Sequence, residues 1–472
     1  MLRLSKLFLY FIVVCGCLML NSCSERSAEP DDDAQQPQIW NESPVVMFHI
    51  RTLGSGREAS SGTVREMIKT LRIIMIHQSG NETRIEANRL IDTHMSDDQF
   101  SYIFQKRTVA GKKRFYLIAN EESVKSVSLT DGSFPAGMQN PDLSTFLNYF
   151  QPDMPADDNG GTVPAKNYTA AEFEALLGSL YFEGEPSYAI ADGLIFLPYS
   201  AYYSGFEVKE NDKKVDCTGS PMYLVPAATK FCFKFINERT AEDVAIDYLT
   251  IKSVHRSNYL MAKLEEQELT KVIEGEEYYW IDWLRRVAEE SQDNIAPDDN
   301  VDLNGSYGWI KDFEVPVPGD VGEHAFIPDG PADDPGTPNI KSTSLILPVA
   351  SESNDGRITS TTTVFGPLYL PESRNIVEEE IVEADGSKKT QTLEKYTLKI
   401  KMRNASAAVG STSLADVKEA ETEISNLKSL FRNTSVLITI TLREGGVNIY
   451  AEPVLWNKKV FFGYVKDEDE IK

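Results

Sequence analysis

Apolar and polar residues alternate, or apolar residues run in short β-branched blocks, along most of the chain. Val45 to Leu53 predicts a first strand, and Gly54-Ser-Gly-Arg57 after it a flexible loop ending in a base. Thr70–His77 (Thr-Leu-Arg-Ile-Ile-Met-Ile-His) is almost wholly apolar and predicts a strand buried on both faces, followed by a turn at Gln78–Asn81. Arg114–Asn120 predicts another strand. Gly193–Tyr203 predicts one that Pro198 interrupts and confines to an edge or bulge. Thr229–Ile236 and Val244–Val254, with a turn-like Asn237–Glu242 between them, predict an antiparallel pair. Strands return at Ser344–Val349, Thr361–Leu370 and Tyr396–Met402. A hairpin closes the series: Val436, Ile438, Ile440 and Leu442 alternate, Arg443–Gly446 turns, and Val447, Ile449 and Ala451 alternate back.

Helical spacing is rarer. Thr169-Ala-Ala-Glu172 is a capping box ahead of Phe173, Leu176, Leu177 and Leu180. Tyr278–Val287, with Trp280, Ile281, Leu284 and Val287, predicts a second helical face, and Asp293–Pro338, rich in Asp, Gly and Pro, predicts long loops. Short strands, polar turns and few helices make the chain mainly β, as two β-sandwiches with a boundary near Lys263.

The first residues change the picture. Arg3 and Lys6, the apolar run Leu7–Leu20, and Leu20-Asn-Ser-Cys23 read as an export signal over 1–22 that resembles a lipobox, with Cys23 the lipidated residue. Ser24–Ser43 is a polar tether carrying Asp31-Asp-Asp33. No apolar run after residue 20 is long enough to span a membrane. A net charge of −25 argues against nucleic acid as a partner. Of five cysteines, only Cys217 and Cys232 lie in the body; a bridge between them and two free thiols both fit, and the alternating phenylalanines of Lys230–Phe235 point Cys232 away from the main apolar face.

No catalytic, metal or cofactor constellation stands out in the sequence. His49, His77, His94, His255 and His324 show no tight ligand spacing, and no nucleophile elbow or phosphate loop appears. Asn300-Val-Asp302-Leu-Asn304-Gly305 resembles a calcium loop, but the twelfth position is Lys311 where a bidentate glutamate is needed, so an acidic hairpin-like loop is the better reading. Tyr202, Tyr203, Tyr278, Tyr279, Trp280 and Trp283 read as packing before sugar stacking.

In order along the chain, several stretches together resemble the fimbrillin superfamily, the type V pilins of anaerobic Gram-negative bacteria. They are the lipobox and acidic tether, the strand ending at Arg57, Leu71–Ile76, Tyr116–Asn120, Leu197-Pro-Tyr-Ser-Ala201, Lys230–Phe235 with Val244–Leu260, and Phe431-Arg-Asn-Thr434 before the last hairpin; 264–340 matches least. The resemblance implies two transthyretin-like β-sandwich domains (58–263 and 264–472) behind a lipoprotein leader and a removable segment, 23–57. It implies a non-enzymatic fimbrial subunit, stalk or accessory, made as an outer-membrane lipoprotein. An arginine-specific protease cuts after Arg57, and other fimbrial subunits then partner it by strand exchange at the cell surface. Val454–Val465 is the candidate donor strand, and a terminal strand that stays home is the alternative. The competing readings are a surface lipoprotein that keeps its lipid and binds a glycan or other receptor, and a lipid-retaining anchor subunit.

Overall fold

The computed structural model describes residues 44–52, 65–80, 82–96, 99–130, 132–152, 168–183, 194–262, 270–273, 276–279, 321–327, 344–353, 357–374, 379–382, 388–391, 396–406, 417–424, 429–430, 432–443 and 446–455. The leader with Cys23, the loop with Arg57, the Asn300–Gly305 segment, Trp280, Trp283 and the tail from 456 lie outside them.

The chain is mainly β, with two α-helices among the described residues. The first sheet uses β1 (Val45–Thr52), β2 (Arg65–Ser79), β3 (Glu82–Ser96), β4 (Ser101–Arg107), β5 (Gly111–Ala119), β6 (Tyr199–Val208) and β7 (Lys214–Pro226). Their spatial order is β3-β2-β5-β6-β7-β1-β4, with Leu194–Ile195 pairing β2. Leu71, Ile73, Ile74, Met75 and Ile76 of β2 are all fully buried, so both of its faces are covered, as the unbroken apolar run demands. Pro198 falls in the gap between Leu194–Ile195 and β6, and β6 lies inside the sheet between β5 and β7. The expected edge is therefore corrected: the proline ends one strand before the next begins.

Two helices pack on this core. In α1 (Leu143–Tyr149), Asp142 Oδ1 caps the amide of Thr145 at 2.6 Å, and Leu143, Phe146 and Leu147 are buried. Beside it the buried Arg72 grips Glu121 through two hydrogen bonds of 2.5 and 2.7 Å, and reaches Asn88 and Asn148. In α2 (Ala170–Ser179) the capping box forms as its sequence demands, Thr169 Oγ1 accepting from the Glu172 amide at 3.1 Å and Glu172 accepting from the Thr169 amide at 2.6 Å. Glu174 on that helix receives a bidentate pair from Arg114.

Two further sheets enclose a second core. One runs β11-β8-β14-β15, formed by β8 (Thr229–Asn237), β11 (Thr361–Leu370), β14 (Thr434–Arg443) and β15 (Gly446–Leu455). The other runs β10-β9-β12-β13, formed by β9 (Val244–His255), β10 (Val321–Ile327), β12 (Thr397–Asn404) and β13 (Val417–Glu423). The expected antiparallel pairing of Thr229–Ile236 with Val244–Val254 is overturned. β8 pairs with β11 and β14, β9 with β10 and β12, and the chain crosses between facing sheets at the turn. Phe231, Phe233 and Phe235 point into the core between them, while Cys232 is buried on the opposite face. Cys217 and Cys232 are both free thiols, so the bridge between them is not formed.

Two other expectations change. Tyr278 and Tyr279 lie in a strand, Glu276–Tyr279, that pairs with Thr270–Ile273, where a helix was expected. The loop-like region 293–338 contains β10. The two apolar cores divide between Ala228 and Phe231, although Leu260 and Met261 return to the first. Residues 231–254, expected in the first domain, thus serve the second core.

Buried ion pairs join the cores. Arg432, fully buried, holds Glu372 through its Nε at 2.9 Å and through Nη2, and donates to the carbonyls of Tyr259 (2.8 Å) and Leu260 (3.1 Å). Glu66 on β2 accepts from Lys230 Nζ (2.5 Å) and Tyr369 OH (2.8 Å). Burial would raise the Glu66 pKa, but the ammonium of Lys230 and the two hydrogen bonds overcome it and hold the carboxyl below its usual range.

In the second core, His324 on β10 is buried and stands near His255 on β9. His324 Nε2 and His255 Nδ1 have no hydrogen-bond partner among the described residues. Burial pushes both below the usual histidine value, and Arg256 adds repulsion at His324. Both rings are neutral in the fold and gain protons more readily when it opens. Their contribution to stability is complete above about pH 6.5 and is lost as pH falls from there toward the folded values. Thermal melts between about pH 7.5 and 5 should show a falling midpoint, and His324→Phe should flatten that slope.

Candidate functional site

β1 shows a strict alternation of burial. Val46, Phe48, Ile50 and Thr52 are at most 2% exposed, while Val45, Met47, His49 and Arg51 are half-buried. Phe48 enters an aromatic cage, its ring centroid 4.4 Å from that of Phe115 and 5.2 Å from that of Phe206. The alternating sequence Val-Val-Met-Phe-His-Ile-Arg-Thr is thus a strand with one face in the core.

The strand is interior to its sheet, with backbone pairing on both sides. Against β4 it runs antiparallel, Val45 opposite Arg107 through Arg51 opposite Ser101. Against β7 it runs parallel, Val45 beside Lys214 through Phe48 beside Cys217, and then Ile50 beside Met222 through Thr52 beside Leu224. The jump in register loops out Thr218-Gly-Ser-Pro221. Pro221 has no N–H for a ladder, and Asp216 Oδ1 holds the turn by accepting from the Thr218 amide (3.1 Å) and hydroxyl (2.6 Å). His49 Nε2 meets Ser101 Oγ at 2.8 Å across the β4 pair.

β1 has no ladder with β2, the strand that follows it in sequence; three strands separate them in the sheet. β1 ends at Thr52 and β2 begins at Arg65, so Arg57 falls in the connection between them, outside the described residues. Of the two other arginines nearby, Arg51 sits within β1 with its Nε buried, and Arg65 opens β2 opposite Leu194. Both are parts of paired strands. One cut within 53–64 would leave β1 joined to the body by hydrogen bonds and packing alone. Its loss would then open a slot between β4 and β7, with unpaired backbone on both walls and pockets for Val46, Phe48 and Ile50.

The other sequence candidates do not gather at this slot. Among the described residues no group of three or more His, Cys, Asp and Glu comes together to hold a metal. His77 is buried against Lys113, and His94 is a surface residue of β3 with a positive φ of 52°. Tyr202 lies tilted against Tyr116, with ring centroids 4.7 Å apart, and Tyr203 OH accepts from the Tyr223 amide, so both serve packing. No helix among the described residues is long and apolar enough to cross a membrane. At the far end, Val454 and Leu455 pair with Ser435 and Thr434 in the closing hairpin. The candidate donor therefore begins beyond Leu455, since its first two residues belong to the home sheet. The polar residues around the slot, Thr108, Glu86 and Lys113, carry no motif and escape a reading by pattern.

Neither a protein-family model nor a curated protein matches the chain. Among solved structures it is similar to the tip fimbrial protein Mfa3 from Porphyromonas gingivalis with C-terminal truncation, at 8% identity and a TM-score of 0.39, over 88% of this chain and 100% of that one. It is also similar to a candidate cell adhesion protein from Parabacteroides distasonis (13% identity, TM-score 0.42, covering 89% and 98%). A third is a fimbrial assembly protein from the same species (8%, 0.33, covering 88% and 98%). These likenesses are distant, and the reading of the slot rests on this chain's own residues.

Phe48→Ala should destabilise the intact chain by about 3–5 kcal/mol, because the cage around it cannot collapse between two paired strands. Denaturant unfolding monitored by circular dichroism checks this.

Proposed function

We propose that the chain is a structural subunit of a surface fimbria, of the kind its sequence resembles, and not an enzyme. It is exported as a lipoprotein carrying lipid on Cys23 and is anchored through it to the outer membrane. An arginine-specific protease cuts after Arg57, β1 leaves, and a strand from another subunit fills the place between β4 and β7. Residues 456–465 of a second copy, rich in strand formers, are the candidate donor.

One observation carries this reading. The first described strand is interior, buried and paired on both sides, yet a single cut in the connection that follows it would free it. The small-residue sequence Gly-Ser-Gly before Arg57 favours that bond over those after Arg51 and Arg65, which sit in strands. Filling the slot is a matter of ordinary magnitudes. Burying three side chains the size of Val, Phe and Ile contributes about 1.5–3 kcal/mol each before the cost of ordering the incoming strand.

Sequencing the N-terminus of the protein taken from the cell surface tests the processing. A start at Glu58 is expected, and a start at lipidated Cys23 would sink the reading. Arg57→Ala should leave the body folded by circular dichroism and abolish polymer ladders; ladders from that variant would count equally against it.

A further inference from the structure

We propose that Thr108 and Glu86 form a clasp that holds β4 in place when β1 is gone, and so keeps the slot able to receive a strand. This rests on the reading of β1 as removable.

β4 pairs with no strand but β1 among the described residues. Remove β1 and β4 loses its one ladder among the described residues, leaving the packing of Phe100, Tyr102 and Phe104, the short connection 108–110 to β5 and the contacts at its ends. Its C-terminal end is gripped by a strand from the opposite end of the sheet. Thr108, fully buried just past β4, donates from Oγ1 to Glu86 Oε1 on β3 at 2.6 Å, and the Val109 amide reaches the same oxygen at 3.4 Å. β3 and β4 are the first and last strands of the sheet order, so this contact brings its two ends together.

The clasp is anchored on strands that stay. Glu86 Oε2 accepts from Lys113 Nζ of β5 at 2.6 Å, and that ammonium lies 2.9 Å from His77 Nδ1 of β2. The Lys113 side chain is fully buried and that of Glu86 is 6% exposed, so the pair fixes the carboxylate in a site that water does not screen. Gly111, at φ 137°, lies over His77, where a Cβ would come within 2.5 Å of the ring. The residue just before β1 also meets this arrangement: the Thr108 amide donates to Pro44 O at 2.9 Å. When β1 departs that bond is lost, but the hydroxyl–carboxylate bond is not.

Thr108→Val removes the hydroxyl while sparing the Glu86–Lys113 pair, and Thr108→Ser restores it. The full chain is made with a specific protease site replacing residues 54–60, folded, cut, and mixed with excess labelled peptide spanning Pro44–Leu53. Uptake of the label reports exchange of β1, and amide hydrogen exchange reports on residues 101–107. In the uncut chain, Thr108→Val and the parent should protect 101–107 alike. In the cut chain with β1 washed out, Thr108→Val should exchange these amides about tenfold faster and bind the peptide about tenfold more weakly, with Thr108→Ser at parent values. Equal protection and affinity in the cut Thr108→Val and parent chains would overturn the clasp and leave β1 removable. Failure of the cut parent to take up the peptide would overturn both readings.

Discussion

The two-sided pairing of β1 is the constraint on which the first core depends. A strand at the edge of a sheet can be lost with little consequence, but β1 joins β4 to the remaining strands and places Phe48 among Phe115 and Phe206. The strand earliest in sequence among those described is therefore laid between strands synthesised later, β4 and β7. Such non-local pairing closes long loops before it is rewarded and is intrinsically slow to form. A chain built this way gains stability from a piece that one covalent bond on its C-terminal side ties to the body.

The second core is organised differently and meets the first through charge. Arg432 reaches from the turn before β14 to Glu372 and to the carbonyls of Tyr259 and Leu260, and Lys230 reaches across to Glu66. Removing one partner of such a buried pair leaves an uncompensated charge, so each is costly to break even where forming it contributes little. The joint between the cores is accordingly specified by a few directional contacts. It adds to the apolar contact of Tyr369, which comes from a second-core strand and packs in the first core.

Much of this was legible in the sequence wherever one face of a strand is apolar and the other is not. β1, β2, β11 and the closing hairpin stand where alternation or an unbroken apolar run placed them. β3 was not legible: only Ile85 and Ala87 are fully inward in its first half, Glu86 and Asn88 are spent on buried polar contacts, and register shifts opposite β2 break the period. β7 was hidden by Thr218-Gly-Ser-Pro221, which reads as a turn and is in fact a bulge opposite β1. The pairing expected of β8 with β9 does not form, and the pattern does not show this because two strands around a short turn look the same whether they form a hairpin or cross between sheets. The strand half of the site was visible as a pattern. Its polar support, at Glu86, Thr108 and Lys113, was not, because three residues distant in sequence share no spacing.

The mixed walls of the β1 position have a geometric consequence. A strand laid there backwards would exchange the two ladders, parallel to β4 and antiparallel to β7, and would no longer match the register of Val46, Phe48 and Ile50 or the bulge of β7 beside His49. The position thus distinguishes head from tail. Were a strand of a second copy to take that place, the contact would join two unlike surfaces, and its repetition would close into a pair or ring or run on as a filament according to the rotation it imposes.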